Sequence, residues 1–236
     1  MSELLKFFED QLQIAALTFL GVVYIIRLIW LFRFKSAKER TFAAGNPGKG
    51  VAYSMMNVAL PWAMESIRKR PGFYIQFVIF HLGVTAAISA SFIIPYAPAL
   101  FERRAVVLVF QGVIGGALLV GGLRLYRRIS KPSLRLISTA DDYFSLILMI
   151  LFFLFGFLAV PNRPEAGEWP LLIFFGLTAL LLVYVPFSKI CHYLYYPFTR
   201  FYLGRTLGHR GVVSKKRKVG LPEGPYPDGS KEVPNG

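Results

Sequence analysis

Cysteine occurs once, at Cys191, and histidine three times, at His81, His192 and His209, in a chain of 236 residues. One thiol excludes an intramolecular disulfide and any iron–sulfur cluster held by thiolates of this chain alone. Charge is also scarce, at 17% of residues, and the 13 acidic side chains are outnumbered by 27 basic ones. The interiors of the apolar runs contain no acidic residue, so a small transporter or lipid-modifying enzyme, which needs a polar path or an acid–base cluster, is a thin alternative. A basic leader is missing too. The opening MSELLKFFEDQLQ carries acids and no basic n-region, so the first apolar run reads as a retained membrane anchor rather than a cleaved signal.

What the chain does have is hydrocarbon: 55% of its residues are apolar. They are grouped into five stretches, approximately 12–33, 72–95, 104–123, 143–160 and 169–190, each long enough to cross roughly 30 Å of lipid as a helix. Helices satisfy their own backbone hydrogen bonds in lipid, and the stretches are twice as long as a barrel strand needs. The expected fold class is therefore an all-α integral membrane protein, a bundle of five transmembrane helices over 1–205 followed by a basic, then Pro/Gly-rich, tail over 206–236.

The net charge of +14 follows this topology and does not point to nucleic acid. Seven Lys and Arg lie between the first and second spans, five between the third and fourth, and nine from Lys189 onward. The N-terminus and the other two loops share four, Lys6, Arg103, Arg104 and Arg163. The positive-inside rule then puts the N-terminus outside and the C-terminus in the cytoplasm, and makes the cytoplasmic (inner) membrane the expected location. The connection from 34 to 71 is basic and flexible in its first half. Its second half is apolar but interrupted by Pro61 and Glu65, which suits an interfacial or docking helix better than a sixth span.

Along the spans, polar groups are few enough to be considered singly. Arg27 either snorkels to the inner surface or meets an anionic group in the bundle. The glycines of the third span suit tight helix packing, with Gln111 a weak candidate for bonding a quinone or a bundle water. Arg124, Arg127 and Arg128 at its basic end fit lipid phosphates, a partner's acidic surface or cofactor propionates, and their spacing does not choose. Asp141 and Asp142 are placed to cap the fourth span. The fifth span has no stop before Pro197, so a helix bending at Pro186 and running to about 203 is expected, with Lys189 on the His192 face.

That extension brings His192 to about the depth of His81, on the order of 15 Å from the basic ends of their helices at 1.5 Å per residue. Two imidazoles at one level on two helices suit the axial faces of a haem iron, whereas zinc usually requires more donors. His209, in LGHRG, lies beyond the spans and reads as solvated or structural.

The five-helix plan, IFHLG around His81 and PFSKICHYLYYPFTR around His192 resemble the gamma subunit of respiratory nitrate reductase. They also resemble the related membrane cytochromes b of heterodisulfide reductase and of the sulfite-reduction-associated membrane complex. Members of the nitrate-reductase type hold two b haems on four histidines of the second and fifth helices. The resemblance implies that His81 and His192 are the pair nearer the cytoplasmic partner. The other pair is missing, because Ser91 stands ten residues after His81 and Phe174 eighteen before His192. One haem b is thus implied where the relatives have two.

The implied function is a membrane cytochrome b subunit that exchanges electrons between menaquinone or ubiquinone and a cytoplasmic iron–sulfur or catalytic redox partner. Candidate pocket residues around the haem are Arg27, Ser188, Lys189 and Tyr193. The basic inner face would dock that partner and hold anionic lipid. The main alternative is a haem-free membrane anchor and quinone-binding subunit of a redox complex.

Overall fold

In a computed structural model, residues 2–34, 39–59 and 68–212 are described. Pro61, Glu65, Lys35, Lys38 and most of the tail expected over 206–236 fall outside them. All regular structure among the described residues is helical.

Among the described residues five helices are long and apolar enough to cross a membrane, so this is a multi-pass membrane protein. The first span begins with one turn at Glu3–Lys6, widens into a π-helical turn at Phe7–Gln11, and continues as α1 (Leu12–Arg33). After α2 (Pro47–Ala59) come the other spans: α3 (Pro71–Tyr96), α4 (Arg104–Ser130), α5 (Ala140–Ala159) and α6 (Trp169–Tyr184). The last helix is α7 (His192–His209).

Local chemistry explains the ends. Ser2 accepts from the Leu5 N–H and starts the first span nine residues earlier than the apolar run implies. Thr139 and Asp142 form a reciprocal capping box at the start of α5. α4 continues to Ser130, past the expected end at 123, because its basic last turns remain good helix formers.

The expected continuous fifth helix is corrected. After Tyr184 the chain makes two short 3-10 turns, Val185–Phe187 and Lys189–Cys191, and α7 then starts afresh at His192. Pro186 has no N–H to continue the ladder, and Ser188 adopts an extended conformation (φ −103°, ψ 171°) from which its hydroxyl accepts from the Ile190 N–H.

The chain divides into two compact units. One comprises residues 1–38 and 60–197, the other 39–59 with 198–236, so α7 contributes to both and the division does not follow the 205/206 boundary. In the first unit α1 packs on α6, α6 on α5, α5 on α4 and α4 on α3, with α3 also touching α5. The π-helical turn contacts α3. The α3–α4 approach is very close: a Cβ on Gly83 would lie 2.1 Å from the Ala117 Cβ. Phe152, Phe153, Phe174 and Phe175 fill the centre, with the Phe152 and Phe174 rings stacked at 5.3 Å.

In the second unit α2 crosses α7 backbone to backbone. A Cβ on Gly50 would meet the Gly204 carbonyl at 2.1 Å, and one on Gly208 would meet Gly50 Cα at 2.8 Å. Ser54 donates to the Arg200 carbonyl (2.8 Å), and Arg200 returns two bonds to the Ser54 carbonyl (3.1 and 2.8 Å). His209 is engaged here as a structural group, donating from Nε2 to the Thr41 carbonyl (2.8 Å).

Candidate functional site

The first unit holds a half-open cavity of about 970 Å³. Leu17 and Leu20 of α1, Phe80, Val84 and Ile88 of α3, Met149 and Phe152 of α5, and Leu181 and Leu182 of α6 give it apolar walls. His81 and His192 both line it, although they stand 111 positions apart in sequence.

Each imidazole is oriented by its own backbone. His81 donates from Nδ1 to the Phe77 carbonyl (2.8 Å) and leans on the Phe77 ring at 4.0 Å between centroids. His192 donates from Nδ1 to the Lys189 carbonyl (3.1 Å), a bond made possible by the turn at 189–191. A carbonyl can only accept, so Nδ1 carries a proton in both rings, and among the described residues neither Nε2 has a hydrogen-bond partner. A backbone carbonyl on the far nitrogen is the usual support of a metal-ligating histidine.

Among the described residues no group of three or more His, Cys, Asp or Glu side chains gathers as a metal cluster. Two imidazole donors and a large apolar space fit a haem better than a structural zinc. One end of the cavity is basic. Arg124 lies over the Phe80 ring (4.5 Å), Arg127 over the Phe73 ring (4.3 Å), and Arg128 donates to the Ser138 hydroxyl (2.7 Å). All three line the cavity.

The other candidates separate into two sets. Lys189 and Tyr193 line the cavity with the histidines. Lys189 donates to Asp142 (2.8 Å) and Thr139 (2.9 Å), so its charge is already paired at the cap of α5. Tyr193 bonds the Tyr24 hydroxyl of α1. Arg27 and Ser188 are not among the lining residues. Arg27 bonds the Tyr195 hydroxyl and approaches Cys191 Sγ (3.8 Å), and Ser188 is a buried turn cap that donates to the Val185 carbonyl (3.1 Å).

Phe174 and Ser91, eighteen residues before His192 and ten after His81, have structural duties. Phe174 is fully buried in the aromatic centre, and a Cβ on Gly156 would lie 3.1 Å from its ring. Ser91 donates to the Ile88 carbonyl (2.8 Å). Gln111 donates to the Phe157 carbonyl (3.1 Å), a bond between α4 and α5.

Three polar residues at the far end of the cavity from the arginines, Glu9, Gln13 and Tyr96, were not singled out by the sequence; Ser91, noted only as a non-ligand, joins them there. Glu9 and Gln13 precede or begin the first apolar run, and nothing in their spacing announces a π-helical turn.

No family model matches the chain. A protein of Nitratidesulfovibrio vulgaris (strain Hildenborough) is similar to it, with 27% identity over 168 residues, covering 66% of this chain and 70% of the relative.

Proposed function

We propose that the chain is the membrane cytochrome b subunit of a multisubunit oxidoreductase. In this reading it exchanges electrons between the quinone pool and a cytoplasmic iron–sulfur or catalytic partner through a single bis-histidine haem b. The observation that carries the reading is the convergence of His81 and His192 on one apolar cavity, each with Nδ1 engaged and Nε2 available. A haem bound there supplies a one-electron couple.

The chain's own residues have distinct tasks. His81 and His192 would hold the haem iron, and the carbonyls of Phe77 and Lys189 fix their tautomer. Arg124, Arg127 and Arg128 offer positive charge to an anionic cofactor edge, and Lys189 does so while held by Asp142. Arg27 and Ser188 act on shape: one ties α1 to the start of α7, the other sets the turn that presents His192. Phe174 and its aromatic neighbours occupy the volume of the centre, which favours one haem over two.

Loop charge sets the orientation in this proposal, with the N-terminus outside and the C-terminus on the cytoplasmic side of the inner membrane. The basic loops then face the partner and anionic lipid. Direction of electron flow follows from the potentials of the quinone and the partner.

The test is a reduced-minus-oxidised spectrum of the purified chain. A b-type band in the wild type, lost in both His81→Ala and His192→Ala, supports the reading. A band unchanged by either substitution overturns the ligand assignment, and absence of any band favours the haem-free, quinone-binding anchor.

A further inference from the structure

The π-helical turn Phe7–Gln11 widens the backbone where the first span meets α3, a distortion that often accompanies function. Gln13 stabilises it, donating from its amide to the Phe8 carbonyl (2.9 Å) and to the Phe175 carbonyl of α6 (2.9 Å). On the same turn Glu9 is only 7% exposed, yet its carboxyl group receives no hydrogen bond from the described residues. Its oxygens are not sealed in: what access they keep is toward the two pockets that Glu9 lines, so a partner for this largely buried carboxyl group has to come from within those pockets.

Glu9 lies between two spaces. It lines the apolar cavity that contains His81 and His192, and it lines a second pocket of about 550 Å³ whose walls include Glu3, Lys6, Asp10 and Gln11. Tyr96 borders both and donates to Asp10 (3.1 Å). A group on Glu9 is thus in contact with an apolar chamber on one side and a polar one on the other.

We propose that Glu9 is the binding and proton-accepting group for the hydroxyl of a hydroquinone head group seated at the π-helical end of the cavity. The ligand class rests on the quinone reading given above; the location does not. The apolar walls take the ring and its isoprenoid tail, and the Glu9 carboxylate accepts from the ring hydroxyl. At the opposite end the candidates are already engaged, Lys189 by Asp142 and Tyr193 by Tyr24. When a one-electron oxidant withdraws charge from the ring, the ring O–H bond breaks, its electron pair stays on the ring oxygen, and the proton forms the O–H of Glu9. That proton leaves through the polar pocket beside Asp10 and Tyr96.

The test uses the purified full chain in detergent, titrated with a fluorescent alkyl-hydroxyquinoline N-oxide, a hydroquinone mimic whose emission is quenched on binding. Glu9→Gln, nearly isosteric, is expected to weaken binding about tenfold, as loss of a charge-assisted hydrogen bond does. Gly122→Ala, which lines neither pocket and has open space for its Cβ, is expected to bind as the wild type does. Infrared difference spectra of naphthoquinone-loaded protein, reduced against oxidised, are expected to show a carboxylic C=O band that disappears in Glu9→Gln. Unchanged affinity in Glu9→Gln, or an equal loss of binding in Gly122→Ala, overturns the site. Wild-type helical circular dichroism in each variant shows that the fold is intact. The haem spectrum is recorded on the same samples. A b-type band with Glu9-independent binding sinks the Glu9 site alone, whereas Glu9-dependent binding without any b-type band sinks the cytochrome reading alone.

Discussion

At the scale of single residues, Lys189 brings charge to the cavity lining and Arg27 does not. Lys189→Ala removes a cation from the lining and leaves the Asp142 carboxylate without its closest partner. Both changes favour the more positive, oxidised iron, so the haem midpoint potential is expected to fall by roughly tens of millivolts in a redox titration. Arg27→Ala, which breaks contacts to Tyr195 and Cys191 outside the lining, is expected to leave the potential in place and lower Tm. At the N-terminus, hydrogen bonds from the Ser2 hydroxyl and backbone N–H hold the Glu168 carboxyl below the usual carboxylate range. A depressed carboxylate stabilises the fold above its unfolded pKa, and that contribution is lost as pH falls through the folded value. The difference in Tm between wild type and Ser2→Ala is accordingly expected at neutral pH and to shrink on acidification. That role of Ser2 was not legible beforehand, because its partner lies 166 residues away.

At the scale of elements, close helix approach holds the histidine-bearing α3 in place. Gly83→Val cannot be accommodated with the Ala117 Cβ already 2.1 Å from where its own Cβ would stand, and is expected to lower both Tm and haem content. Gly122→Ala, with nothing within 4 Å, is expected to be neutral or slightly stabilising by the same measurements. The spans themselves were legible, since lipid demands long apolar helices and few sequences satisfy that by accident. The break at 185–191 was half legible: Pro186 marked a bend, but the extended Ser188 that turns it into a fresh start at His192 depends on a local cap. The π-helical turn was not legible at all, because a shift from i+4 to i+5 pairing leaves the residue types unchanged. Gly204 and Gly208 do carry a small-xxx-small spacing, yet its use against Gly50 required knowing that α2 and α7 meet.

At the scale of the whole molecule, two histidines far apart in sequence come to one chamber because five helices fold into a bundle around it. Both line the same cavity; the expectation of equal depth rested only on rise per residue. The chamber's extent, from the arginine end to Glu9, was beyond sequence reasoning because it depends on which helix faces which. The proposed orientation is open to direct labelling. Ser2→Cys is expected to react with an impermeant maleimide from the outer side of intact spheroplasts and Val212→Cys only after lysis, with the buried native Cys191 giving little background; the reverse pattern contradicts the assigned orientation. The most direct measurement on the central claim is the haem-to-chain ratio of purified protein by pyridine haemochrome against quantitative amino-acid analysis. One haem b per chain is the expected result, because His81 and His192 form the one pair that meets at the cavity and Phe174 is locked in the aromatic centre. Two haems per chain, or none, would contradict it.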